Sequence, residues 1–459
     1  MIRIDVLPDD VLLAIFDFCV GSPWYEGKAR VEEWKSLVHV CRRWRTLVLG
    51  SPRRLNLRLY CTPKTPVRDT LDVWPALPLI IAGSIDLTLG RDNIFAALGQ
   101  SNRVCQVILW RLAGWHIEEF LAAMQVPFPE LTHLELFSDG ETLPAIPDSF
   151  LDGSAPRLRI FILNGIPFPG LPKLHLSSTH LVQLWLTYIP HSGYFSPEAI
   201  VTLLSMLSSL ESLQIGFQSP QSRPDWETRR SPPPKPFVIP ALNFFGFRGV
   251  IEYLEDLVTR IDTPQLDGMD ITFFNQIDFD TPRLAQFINC TLKLTKRNAH
   301  VQFNDYFARV RLSLGSRALE MKILCREPDW QLSSIEQVCN SSLHPLDTVD
   351  DLYIEHRYRQ LVWKDDAIEN TLWLQLLLPF TAVKNLYLDK EFAPGIAAAL
   401  QELVGGRIIE ALPSLQNIFV KGLEPSGPFQ EIIGQFVAAR QLSNHPIAIS
   451  VWDSHTKPM

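Results

Sequence analysis

The residue types that carry enzymatic chemistry are present in this chain, but their spacing assembles nothing. No Gly-x-Ser-x-Gly elbow, no Gly-x-x-x-x-Gly-Lys-[Ser/Thr] phosphate loop, no His-Glu-x-x-His and no Gly-x-Gly-x-x-Gly occurs. The eleven histidines are dispersed, and the nearest two, His175 and His180, miss the i, i+4 spacing that puts a ligand pair on one helix face. The seven cysteines (19, 41, 61, 105, 290, 325, 339) stand singly, without a Cys-x-x-Cys pair, so neither a disulfide framework nor a zinc site is expected and a reducing compartment is. The acidic pairs Asp9-Asp10, Asp350-Asp351 and Asp365-Asp366 sit where helices or strands begin and read as caps. No cofactor or metal is expected. What remains is binding chemistry. Most tryptophans fall inside core patterns, whereas Trp24, Trp226 and Trp363 lie in polar or loop contexts and are the candidate anchors for a protein target.

The elements that position such residues fall into two textures. The chain has 459 residues, more than a single core of roughly 250 to 300 residues supports. A repeat array escapes that ceiling. With 46% hydrophobic and 20% charged residues a continuous core is affordable, and no apolar run reaches the roughly 20 residues of a membrane span. The net charge of −8 opposes a general phosphate-binding surface, so nucleic acid is not an expected partner and neither is a membrane.

Residues 1–50 form a helical module. Pro8 with Asp9 and Asp10 marks a helix start. Leu12, Ile15, Phe16 and Cys19 follow at i, i+3, i+4, i+7 as its apolar stripe, while Val11, Ala14 and Phe18 lie off that stripe. A second helical pattern runs through Trp34, Leu37, Val38, Cys41, Trp44 and Val48. A unit this small must lean on something, and its surplus apolar face reads as a docking site.

Leu7-Pro8-Asp9-Asp10-Val11-Leu12-Leu13-Ala14-Ile15-Phe16, followed by Val40-Cys41-Arg42-Arg43-Trp44-Arg45, resembles the F-box motif. The segment 21–30 makes the middle of the module longer than the family pattern. Segments of the C-terminal half, such as Asp329–Ser334, Leu378–Leu388 and Ala438–Leu442, look like those of large fungal F-box families. The resemblance implies a Skp-type adaptor as partner, through it a cullin, and adaptor contacts at Leu7, Pro8, Asp9, Val11, Leu12, Ile15, Phe16, Val40, Cys41 and Trp44. It also implies a non-catalytic substrate receptor of a ubiquitin ligase, cytoplasmic or nuclear. The alternative is an interaction scaffold acting outside ubiquitination.

Residues 51–459 have a repeat texture. Pro-x-Leu-x-x-apolar-x-apolar occurs at Pro129, Pro156, Pro240, Pro264 and Pro413, five times where chance gives about one. Central apolar residues recur every 23 to 34 residues, from Val107 through Leu134, Phe161, Leu184, Leu213, Phe245 and Met269, and again from Leu352 to Leu386 and Ile418. Helical segments such as 117–124 and 253–258 lie between them. Strand plus helix at this period is the grammar of a leucine-rich-repeat array. The asparagine or cysteine of the regular repeat is absent, so the expected fold is α/β: a helical module, then an irregular, leucine-rich-repeat-like solenoid of parallel strands. The predicted core is one row holding Leu134, Phe161, Leu184, Leu213, Phe245, Met269, Leu386 and Ile418. Residues 218–236, with six prolines, read as an exposed insertion. Residues 290–345 fit the repeat poorly, although 310–314 and 319–323 alternate like strands.

Overall fold

The computed structural model describes residues 6–20, 34–65, 67–84, 90–112, 115–138, 140, 143–168, 179–224, 235–276, 278–292, 298–314, 317–343, 346–356, 370–422 and 428–452. Two compact units are present: Met1–Phe195 with Thr202–Leu210, and Ser196–Val201 with Glu211–Met459. The helical module belongs to the first unit, together with the earlier repeats.

In the first unit helices α1 (Asp9–Val20), α2 (Trp34–Val38) and α3 (Arg42–Gly50) precede strands β1 (Leu59–Cys61), β2 (Leu79–Ser84), β3 (Val104–Trp110), β4 (His133–Phe137), β5 (Ile160–Asn164) and β6 (Gln183–Ile189). The strands lie in chain order and pair in parallel, with α4 (Val67–Val73), α5 (Arg91–Leu98) and α6 (Trp115–Ala123) in the crossovers. The central row runs Cys61, Ile81, Val107, Leu134, Phe161, Leu184, each opposite the next and each fully buried. A slip of one residue would turn the whole row to solvent, which is why the register is firm.

The recurring proline has a specific place. Leu131, Leu158, Leu266 and Leu415 each donate a backbone N–H to the carbonyl three residues earlier (Phe128, Ala155, Thr263 and Leu412). The intervening proline therefore sits at the second position of a β-turn, where its fixed φ is preformed. The leucine is buried and docks the turn on the core.

The second unit holds β7 (Ser212–Phe217), β9 (Phe244–Gly249), β11 (Gly268–Phe274), β12 (Asn298–Phe303), β13 (Phe307–Leu314), β14 (Arg317–Leu324), β15 (Asp351–His356), β16 (Asn385–Leu388), β17 (Asn417–Lys421) and β18 (Ala448–Trp452). A short pair, β8 (Phe237–Val238) and β10 (Ile261–Asp262), lies apart from them. The spatial order is β7-β9-β11-β14-β13-β12-β15-β16-β17-β18.

This order corrects the expectation of uniformly parallel strands and supplies what was missing at 290–345. Strands β12, β13 and β14 form an antiparallel meander inserted backwards, so that β11 pairs with β14 and β12 with β15. Asn304 turns the chain between β12 and β13: its Oδ1 accepts from the N–H of Tyr306 at 2.9 Å and of Phe307 at 2.8 Å. The buried row passes through the insertion unbroken, Leu213-Phe245-Met269-Leu319-Leu312-Ala299-Leu352-Leu386-Ile418. All eight predicted row residues are buried and in register within their own units.

Two local expectations are corrected in the module. The pattern from Trp34 to Val48 is two helices, because Cys41 is extended (φ −157, ψ 170) and caps α3, its Sγ accepting from the Trp44 N–H at 3.5 Å. The buried stripe of α1 is Leu12, Leu13 and Phe16, whereas Ile15 and Cys19 are exposed. Of the 218–236 insertion, 225–234 lie outside the described residues, and Ser222 on its near flank is buried.

Candidate functional site: an exposed helical stripe and an aromatic strand ladder

The module fills its own core. Leu12, Phe16, Trp34 and Val48 are fully buried, and Phe16 meets Trp44 with ring centroids 4.7 Å apart. Trp34 anchors the module to the strands: its Nε1 donates to the Arg58 carbonyl at 3.0 Å and its ring meets Trp74 edge-on at 5.0 Å. Arg43 closes the opposite side, donating to Asp9 Oδ1 at 2.6 and 3.0 Å and to the Leu7 carbonyl at 2.6 Å.

With that core complete, Val11, Ile15 and Phe18 remain on α1 at i, i+4, i+7, one stripe on the face opposite Leu12, Leu13 and Phe16. Phe18 is 90% exposed. Val40, Cys41, Pro8 and Asp9 are also exposed, and Leu7 and Trp44 are half-buried. The ten residues assigned to adaptor contact thus divide by physics. Leu12 and Phe16 have no surface to offer and support the fold, while the other eight keep accessible surface.

The three tryptophans singled out for target binding, Trp24, Trp226 and Trp363, lie outside the described residues. The second unit carries a different aromatic array. On the strand positions that alternate with the buried row, His300, Tyr353, Tyr387 and Phe419 stand side by side across β12, β15, β16 and β17. Their rings stack at centroid distances of 4.4, 4.3 and 4.7 Å, with planes within 11° of parallel. Trp452 folds back edge-on against Tyr387 at 5.5 Å, and Tyr387 is buried while His300, Tyr353 and Phe419 are half-buried. A polar ladder runs alongside: Asn417 donates to Asn385 Oδ1 at 2.8 Å, and Asn385 to Asp351 Oδ1 at 2.7 Å.

Charge frames this ladder. Burial, then the Tyr387 phenol and Asp351, raise the Tyr353 phenol far above its ordinary range; burial and Asp351 raise Tyr387 as well. Both stay neutral donors. Burial pulls Glu355 upward, but hydrogen bonds from His300 and Gln302 outweigh it and hold the carboxylate below its usual range. Arg311, next to His300 across the β12–β13 pair, is exposed, and Arg309 bridges Gln302 and Glu320. Burial, then the neighbouring Glu320, push Asp270 above its usual range. Parallel faces, phenol and imidazole edges and an exposed guanidinium suit a polypeptide laid across the strands.

The ladder had a signal in the sequence. Tyr353, Tyr387 and Phe419 each sit between the last two apolar residues of a triplet, 34 and then 32 residues apart. His300 had none, because its strand joins the series only through the inverted meander.

No family model matches the chain, and no curated protein matches it. Among solved structures, a leucine-rich repeat-containing protein LegL7 from Legionella pneumophila is similar at 13% identity, over 83% of this chain and 97% of that one, with a TM-score of 0.30. The complex of Rad7 and Elc1 in yeast is similar at 13% identity, over 90% of this chain and 88% of that one, also with a TM-score of 0.30.

Proposed function

We propose that this chain is a non-catalytic substrate receptor of an SCF-type cullin-RING ubiquitin ligase. The helical module is an F-box that docks a Skp-type adaptor, and the aromatic strand face of the second unit holds a protein target. The observation that carries the reading is the stripe Val11-Ile15-Phe18, apolar, exposed and turned away from a core already filled. A mere helical cap would spend those residues inward. The motif resemblance names the partner that fits the stripe, and the aromatic ladder gives the target a surface. Catalysis belongs to the partners; this chain contributes proximity, which raises effective concentration to the millimolar range or beyond. Residence is cytoplasmic or nuclear.

The test is adaptor capture by the purified full chain, with Ile15→Asp/Phe18→Asp beside wild type. The double variant is expected to lose capture while its melting temperature holds, since both side chains are on the surface. Wild type that captures no adaptor sinks the reading. Capture of adaptor without cullin from a lysate moves the chain to the scaffold class.

A further inference from the structure

The first unit contains a cavity of about 700 Å³ at the leading ends of β1 to β5, lined by residues drawn from 52–58, 76–78, 102–105 and 130–132 and by Arg157. Arg53, Arg58, Arg103 and Arg157 all line it, against the single carboxylate of Glu130. A chain with a net charge of −8 has therefore gathered an excess of positive charge around one hollow.

The guanidiniums are poorly employed. Arg157 pairs with Glu130. Arg103 donates only to the carbonyls of Leu77 at 3.2 Å and Pro75 at 3.4 Å, and burial holds it below its ordinary pKa, with Cys61 opposing. Arg58 donates through Nε to Asn56 Oδ1 at 3.2 Å, while its Nη1 is shut off from solvent without any acceptor. The Arg53 side chain makes no hydrogen bond or ion pair among the described residues. Four guanidiniums against one carboxylate repel one another around the hollow, and a multivalent anion would offset that repulsion. Leu57, Leu77 and Pro78 form an apolar wall, beside the polar Asn56, Asn102 and Thr132. A cavity of this size accommodates an organic body as well as its charged groups.

We infer that this cavity binds a small organic molecule bearing two or more phosphate groups, with Arg53, Arg58, Arg103 and Arg157 as its phosphate ligands. Guanidiniums match phosphate oxygens two at a time, and an excess of positive charge matches a di- or triphosphate better than a single carboxylate. Glu130 is the built-in competitor, occupying Arg157 until the anion displaces it. The site is independent of the adaptor reading, since none of its residues belongs to the exposed stripe of α1.

The test is isothermal titration of the full chain with inorganic tripolyphosphate and with adenosine triphosphate at low salt, paired with thermal melts. Wild type is expected to bind with a dissociation constant below about 100 µM and to melt higher with ligand. Arg53→Gln/Arg157→Gln changes exposed residues, so folding persists, and binding weakens at least about tenfold. Glu130→Gln is expected to tighten binding several-fold, a direction that damage to the fold does not produce. Arg311→Gln, in the second unit, should leave affinity unchanged. Adenosine triphosphate binding more tightly than tripolyphosphate supports the apolar wall as a seat for an organic body; weaker binding overturns that part. No binding at about 1 mM, or affinity that the arginine and Glu130 variants leave alone, overturns the site.

Discussion

Arg43 and Asp9 are 34 residues apart in the chain, yet two guanidinium nitrogens of one close on a single carboxylate oxygen of the other at 2.6 and 3.0 Å. Asp9 opens α1 and Arg43 lies in the first turn of α3, so the pair ties α1, with its exposed stripe, to α3. Both side chains are partly exposed, 38% and 60%, which limits the contribution. Arg43→Ala, which also frees the Leu7 carbonyl, is expected to cost about 1 kcal/mol. Hydrogen exchange should speed up along α1 before the strands are affected. Unchanged exchange in α1 would show that the pair holds nothing.

The module's inward and outward residues should separate in experiment. Phe16→Ala removes a fully buried ring from its contact with Trp44 and is expected to cost about 3 to 5 kcal/mol. It would abolish adaptor capture by loosening the module. Leu7→Ala/Pro8→Ala instead changes a half-buried and an exposed residue before α1. Capture is expected to weaken about thirtyfold with little change in melting temperature. Equal affinity of that variant and wild type would remove Leu7 and Pro8 from the contact surface.

The meander should be as deeply built into the second unit as the parallel repeats are. Leu319 sits between Met269 and Leu312 in the buried row. Leu319→Ala is expected to lose about 2 to 5 kcal/mol, comparable to Leu386→Ala among the regular repeats. Denaturant titration of both variants checks this. A loss under about 1 kcal/mol for Leu319→Ala alone would make the insertion peripheral.

Asp270 gives a pH dependence of definite sign. Burial and Glu320 raise its pKa in the folded chain, and Lys322, Arg309 and Arg311 only partly oppose them. A raised folded value means that its contribution is fully present below the ordinary carboxylate pKa of about 4 and is lost as pH rises through the folded value. Asp270→Asn is therefore expected to raise the melting temperature at neutral pH relative to wild type. The advantage should shrink toward about pH 4. An advantage that grows in acid would reverse the assignment.

How far the sequence carried depends on the range of each signal. The buried row was legible because leucine-type residues at period two, following a turn-forming Pro-x-Leu, specify both strand and register locally. Leu134 and Phe161 needed nothing else. Ile15 was misplaced because i, i+3, i+4 describes a stripe without saying which side of a short helix faces the core; the Trp44 ring, packed on Phe16, decides that. The helix break at Cys41 was hidden by apolar spacing that continues through it. The order β11-β14-β13-β12-β15 was beyond reach, since nothing local distinguishes a strand that follows its predecessor from one that doubles back. His300 could therefore not be aligned with Tyr353 in advance, and with it one end of the ladder was missed. The arginine cavity escaped for the same reason: its four guanidiniums arrive from three separate turns.

The backward insertion also governs how the second unit comes into being. In an ordinary array each strand finds its partner in the next one made, so order spreads from neighbour to neighbour. Here Met269 must wait for Leu319, and Ala299 for Leu352, before either edge is satisfied. During synthesis, which releases the chain from its N-terminus, β11 stands with an unpaired edge until β14 has emerged, and the hairpins β12-β13-β14 have to zip first. That interval, more than any property of the finished fold, is when this chain is most open to joining the wrong strand.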